Sequence, residues 1–169
     1  MEQQKDNKLT FLETLKTEKP HQFAVALESI KATGNIFYIP HLIDKLNSTE
    51  DIDIQTQILE FLHAIKDKDI TKYYVEAINK SNNSRVLNNL LQFCWESGFD
   101  LSAHGDVFVK LVIDQEYETA IEAFTVVEEN QTNYSAEQKE QFVKLINQNI
   151  ATASSEKKTL LAELIKVIS

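Results

Sequence analysis

The residues of this chain that could carry chemistry are few and scattered. His41 and Asp44 are three positions apart, and His63 and Asp67 are four apart, so each pair could lie on one helical face and offer two metal ligands. Two ligands do not make a metal site, and solvated polar faces commonly carry such isolated pairs. We therefore predict no metal site and no cofactor.

The single cysteine, Cys94, lies in the stretch LLQFCWESGFDLSAHGD, residues 90–106, which also holds the only tryptophan and two of the three glycines. Leu90 and Leu91 precede Cys94 by four and three positions, which puts the thiol on an apolar helical stripe. A buried thiol is inert. We predict core packing for Cys94 and no catalytic residue. An enzyme with a site between Cys94 and Asp106 is one alternative.

The same stretch has the signals of a junction between helices. Gly98 stands where a left-handed helix stop is expected, and Ser102 or Asp106 is expected to start the next helix. Trp95, if exposed, would be an anchor for a binding partner.

The composition favours one class of fold and excludes several functions. With 43% hydrophobic residues among 169, but only 3 Gly and 2 Pro, the chain is expected to be all-α and to form one domain. A net charge of -9 argues against nucleic acid and anionic lipid as partners. The start, MEQQKDNKLT, lacks the pattern of a secretory signal, so we expect a cytoplasmic protein.

Apolar residues recur at helical spacing along the chain, and polar clusters interrupt them every 30 to 34 residues, near Gly34, Lys68, Gly98 and Thr132. A period of two helices and a turn is typical of an α-solenoid, in which each hairpin packs on its neighbours. We predict frayed residues 1–8, then one domain, residues 9–169. Its hairpins are predicted at about residues 9–33, 35–66, 69–97, 102–130 and 135–168.

Two local features refine these elements. Ser135 and Gln138 have the spacing of a capping box at a helix start. Pro40 has two readings: it kinks a helix that begins near Ile36, or it sits at little cost in the first turn of a helix that begins near Ile39.

The segment ATGNIFYIPHLIDKL, residues 32–46, resembles the first helix of a HEAT repeat, with a glycine joint, an apolar residue before proline, and leucines four apart. The other units resemble HEAT repeats in length and apolar spacing. The resemblance implies a right-handed α-solenoid of four to five antiparallel helical hairpins, of the HEAT/armadillo kind. It also implies that the second helix of each hairpin, residues 52–65, 85–95 and 117–129, lines a concave face.

The charge is concentrated in the middle of the chain. Residues 81–138 hold two bases, Arg85 and Lys110, against ten acids, and therefore carry -8 of the net charge. On the helix over residues 117–129, we expect Ile121, Phe124 and Val127 to form the core stripe, which leaves three glutamates outward. The outward residues predicted to bind a partner are Asp53, Gln57, Glu60, Asn88, Asn89, Gln92, Trp95, Glu96, Glu118, Glu122 and Glu129.

These residues would form a ridge of carboxylates and amides. One interpretation is solubility, because free faces often carry solvated charge. The function we predict is a non-enzymatic protein-interaction or scaffold module, whose concave face binds a basic or amide-rich segment of another protein. A third possibility is a structural subunit that self-associates through end helices such as LLAELIKVI. The sequence leaves the oligomeric state open.

Overall fold

The computed structural model describes residues 12–17, 19–33, 36–65 and 67–169. The predicted frayed residues 1–8 and the joint at Gly34 lie outside these ranges. The described residues confirm the all-α prediction, because they contain helices and turns and no strand. The α-helices are α1 (Pro20–Thr33), α2 (Ile39–Ser48), α3 (Ile52–His63), α4 (Thr71–Lys80), α5 (Ser84–Glu96), α6 (Gly105–Asp114), α7 (Tyr117–Glu129), α8 (Ala136–Asn149) and α9 (Ser155–Ile168).

Local sequence signals explain where several helices begin. Pro40 lies in the first turn of α2, which begins at Ile39 after a short 3-10 turn, so the low-cost reading of Pro40 is confirmed. Asp51 caps α3 by accepting hydrogen bonds from the backbone N–H groups of the two residues that follow Ile52, at 2.9 and 3.0 Å. The capping box of Ser135 and Gln138 at the start of α8 is also confirmed.

The chain divides into two compact units, and the boundary falls inside α5, between Val86 and Leu87. In the first unit α1 packs against α3, and α2 packs against α3 and α4. The core of this unit is made of aliphatic residues with a few aromatic rings, among them Phe23, Ile30, Leu42, Ile54, Ile58, Leu62 and Tyr74. Phe23 and Ile30 place one face of α1 in this core.

In the second unit α6 packs against α7 and α8, and α9 packs against α7 and α8. Its core contains the fully buried side chains Leu90, Leu91, Phe108, Val112, Val126, Ile146, Leu161 and Leu164. Since Leu161, Leu164 and Ile168 are all buried inside the unit, the main apolar stripe of LLAELIKVI is already covered within the chain.

The junction between α5 and α6 has the left-handed glycine that the sequence predicts, with Gly98 at a φ of +67°. The start of α6 differs from the prediction. Neither Ser102 nor Asp106 caps it, because a 3-10 turn over Ser102–His104 precedes the helix and His104 is the N-cap residue. The Asp100 carboxylate accepts a hydrogen bond from the Ser102 N–H at 2.9 Å.

Candidate functional site

The exposed side of α7 is the most distinctive surface of the second unit. Tyr117, Glu118, Ile121 and Glu129 are exposed there, and Glu122 is half-buried. Ile121 is 40% exposed, and Tyr117, one helical turn before it, is 43% exposed. The exposed side of α7 thus carries both carboxylates and two large apolar side chains.

The prediction that Ile121 belongs to the core stripe of α7 is wrong, because this side chain is exposed. Val127 is buried and Phe124 is half-buried, but the residues that face the core are mainly small ones. The buried set is Thr119, Ala120, Ala123, Val126 and Val127. Small side chains on this face of α7 let it pack closely against the neighbouring helices. The bulkier Ile121 is not part of this face and is exposed instead.

Hydrogen bonds join α5 to α7 on this side of the unit. The indole Nε1 of Trp95 donates to Glu122 Oε2 at 2.9 Å, and the Thr119 hydroxyl donates to Asn88 Oδ1 at 2.7 Å. A hydrogen bond to an ionised carboxylate is among the stronger ones, so Trp95 orients Glu122. Trp95 is half-buried and its N–H is engaged, so it supports the surface instead of standing out from it as an exposed anchor.

The other predicted residues of α5 also interact within the chain. The side-chain amide of Gln92 donates to Glu96 Oε1 at 2.8 Å, one turn further along the helix. Both residues are exposed, whereas Asn88 and Asn89 are half-buried. Several polar groups of these α5 residues therefore already have partners within the chain.

The carboxylates of α7 are not neutralised by nearby cations. Within residues 87–169, all of which the structure describes, ion pairs join Lys110 to Asp106 and Lys166 to Glu163. No ion pair in this range involves a glutamate of α7, and no Lys or Arg occurs from residue 111 to residue 138. We name the surface formed by Glu96, Glu118, Glu122 and Glu129 the acidic face.

A cavity of about 510 Å³ adjoins the start of α7, between the α6–α7 turn and the α8–α9 turn. Tyr117 lines it, together with three exposed acids, Asp114, Glu116 and Glu156. The buried Lys157 also lines it, but its Nζ donates to the backbone oxygen of Val112 at 2.6 Å and to that of Gln115. Burial lowers the pKa of Lys157, and the nearby acids Glu116 and Asp114 oppose that shift.

Three of the predicted residues lie in the first unit. Gln57 and Glu60 line a cavity of about 150 Å³ between α1 and α3, with Phe61 beside them. The side-chain oxygen of Gln57 is buried and has no hydrogen-bond partner there. Asp53 is exposed in the first turn of α3.

The region from Cys94 to Asp106 has the environment of a packed junction. Cys94 is 2% exposed, as predicted, and burial raises the pKa of its thiol to about 12. A thiol with that pKa is almost entirely protonated at neutral pH and is a poor nucleophile. Among the described residues, no three His, Cys, Asp or Glu side chains come together as a set of metal ligands.

Sequence reasoning missed the exposed pair Tyr117 and Ile121. A signal for it was present, because α7 contains more apolar residues than one core-facing stripe can hold, and some of them must face outward. The contact of Lys157 with the end of α6 was also missed, because it joins residues that are distant in sequence.

Comparisons with known proteins add little to this picture. No protein-family model and no curated protein matches the sequence. Among solved structures, the chain is similar to a crystal structure of an engineered protein from the Northeast Structural Genomics Consortium, with 16% identity and a TM-score of 0.48. The alignment covers 94% of this chain and 77% of that chain. Separately, none of the described helices is long and apolar enough to cross a membrane.

Proposed function

We propose that this chain is a non-enzymatic protein-interaction module that binds a basic segment of another protein through the acidic face. The observation that carries the proposal is the set of carboxylates on α7 that have no ion-pair partner within residues 87–169. Ionised groups without partners on one surface produce a negative potential, which attracts cationic segments and raises their association rate.

The proposed architecture behind this face is a series of HEAT-like helical hairpins, as in an α-solenoid. In such a series, the first helices of successive hairpins pack together, and so do the second helices. Within the first unit, the pairing of α2 with α4 and of α1 with α3 supports this arrangement. Within the second unit, the pairing of α6 with α8 and of α7 with α9 supports it. On this reading α5 and α7 are second helices, the type that lines the concave face.

The geometry of the acidic face also favours binding. Glu122 accepts a hydrogen bond from Trp95, which fixes the orientation of its carboxylate. Glu118 and Glu129 lie on the exposed side of the same helix, roughly three turns apart. A basic segment that runs along α7 would therefore meet carboxylates over most of the helix length.

The test is capture of partners by the immobilised protein, followed by quantitative mass spectrometry. We expect the captured proteins to be enriched in basic segments and to elute at about 0.5 M salt, where the Debye length is only a few ångströms. Glu118→Lys should weaken capture about threefold to tenfold, since it replaces an attraction by a repulsion at an exposed site.

The matched control is Glu140→Lys, which makes the same charge change at an exposed position of α8. Equal weakening by both variants would mean that only net charge matters. Partners that remain bound to Glu118→Lys at high salt would show that the acidic face is not the binding surface, and the proposal would be wrong.

A further inference from the structure

The acidic face has an apolar component that charge alone does not explain. Within residues 87–169, Tyr117 and Ile121 are the only exposed large apolar side chains, and both lie on α7. They are four positions apart, so about 6 Å separates them along the helix axis. Glu118 and Glu122 form a second row, about 100° around the helix from the apolar pair, and Glu118 lies beside Ile121 because it precedes it by three positions.

The polar groups next to this pair suit a helical ligand better than an extended one. An extended segment leaves its backbone N–H and C=O groups to be satisfied by the surface it binds. On α5, however, Asn88 accepts from Thr119 and Gln92 donates to Glu96, so part of the hydrogen-bonding capacity of these amides is already used. A helix satisfies its own backbone groups and needs only side-chain contacts from α7.

The acidic surface continues past the end of the apolar pair. Tyr117 borders the cavity of about 510 Å³ that is also lined by Asp114, Glu116 and Glu156. The one cation in that lining is Lys157, and its Nζ donates hydrogen bonds to backbone oxygens of α6 and of the turn after it. A cationic side chain beyond the apolar contact would therefore enter an acidic cavity.

We propose that the acidic face binds an amphipathic basic helix of another protein, whose apolar residues cover Tyr117 and Ile121 and whose Lys or Arg side chains pair with the flanking glutamates. This inference rests on the proposed function and adds the conformation and chemistry of the partner. An anionic membrane is disfavoured by the charge of the face. A second copy of this chain is an outcome that the test distinguishes.

The test uses two synthetic peptides of roughly 18 residues, long enough for a stable helix on binding. Both contain the same Lys, Arg and Leu residues. In the first, the leucines recur at i, i+4 and i+7 and form one stripe, and in the second they are spread around the helix. Fluorescence anisotropy measures the affinity of each labelled peptide for the full chain at about 0.15 M salt.

We expect the striped peptide to bind at least fivefold more tightly than the scrambled one. Ile121→Ala should remove most of that preference, because the peptide then loses the apolar contact. The matched control is Ile52→Ala in the first unit, where the side chain is 59% exposed, and it should leave both affinities unchanged. Circular dichroism checks that each variant keeps its helix content.

The contrary results separate the two proposals. If both peptides bind equally and Glu118→Lys weakens both, the acidic face binds basic segments but the helical partner is wrong. If neither peptide binds, both proposals fail. If sedimentation shows that the wild-type chain self-associates and that Ile121→Ala abolishes this, then the occupant is a second copy and the inference is overturned.

Discussion

Replacing Gly105 with alanine should destabilise the protein, although the backbone at this position is ordinary for a helix. Gly105 has a φ of -56° and a ψ of -32°, and it is the first residue of α6. In such a conformation alanine is normally favoured over glycine by up to about 1 kcal/mol. The sign of the effect therefore tests whether packing around Gly105 outweighs backbone propensity.

The contacts around Gly105 indicate that packing outweighs propensity. A Cβ at this position would lie 2.5 Å from Tyr134 Cε1 and 2.8 Å from Phe142 Cζ. These rings are in edge-to-face contact, with centroids 5.1 Å apart, and both side chains are buried. Neither ring can yield without disturbing the other. Overpacking of this kind costs about 1–3 kcal/mol, so we expect a net loss of about 1–2 kcal/mol in the free energy of unfolding.

The assay is urea unfolding followed by circular dichroism and by the fluorescence of the single tryptophan, Trp95. The matched control is Ala136→Gly, which makes the reverse exchange at the exposed first residue of α8 and measures the effect of helix propensity where no side chain is overpacked. In the Gly105→Ala background, Phe142→Leu removes ring atoms that make two of the three close contacts. We expect Phe142→Leu to lower the free energy of unfolding less in the Gly105→Ala variant than in the wild-type protein.

Two results would refute the reasoning. One is a Gly105→Ala variant that is more stable than the wild type by the propensity difference. The other is a double-mutant cycle with no coupling between Gly105→Ala and Phe142→Leu. Either would mean that α6 and α8 are less closely packed at Gly105 than the contact distances indicate.

Three further predictions concern buried or capping groups. Because burial raises the folded-state pKa of Cys94 from 9.0 to about 12, stability should fall as the pH rises above about 9, by up to about 1.4 kcal/mol per pH unit. Cys94→Ala should reduce the slope between about pH 9 and pH 10 in urea unfolding, where the buried Tyr134, whose pKa burial also raises, still contributes. An unchanged slope would contradict the burial argument. Lys157→Met should cost about 1–3 kcal/mol in thermal or urea unfolding, because the buried carbonyl of Val112 loses its donor. Lys158→Met, at the neighbouring exposed position, should change stability by less than about 0.5 kcal/mol, and equal effects would argue against the role of Lys157. Asp51→Ala should cost about 1 kcal/mol by removing the cap of α3, whereas Asp51→Asn should be nearly neutral; a full loss with Asn would mean that the negative charge, not the cap, is what matters.

Much of the helical framework could be predicted because its signals are local. Pro20 and Pro40 mark the starts of α1 and α2, Ser135 and Gln138 cap α8, and Gly98 takes the left-handed conformation after α5. Each depends on the backbone geometry of a few neighbouring residues. The exception was the start of α6, where a 3-10 turn precedes the helix and the N-cap residue, His104, makes no side-chain cap.

The candidate site could be predicted only in part. The acidic character of residues 111–138 is a matter of composition, and the carboxylates of α7 lie largely on its exposed side. The position of Ile121 was predicted wrongly, because helical periodicity allows several stripes on an apolar-rich helix. Which stripe turns inward is decided by the neighbouring helices, and here they accept the small residues Ala120 and Ala123.

The sequence by itself thus determined the helical class, several helix starts and the sign of the charge on the second unit, because propensity, capping and composition act over short distances along the chain. Only the tertiary structure decided that Trp95 holds Glu122, that Lys157 reaches the end of α6, and that Ile121 faces outward. Each of these joins residues from different helices or depends on the neighbours a helix meets. Such contacts are set by the shape of the packed side chains, which no local pattern encodes.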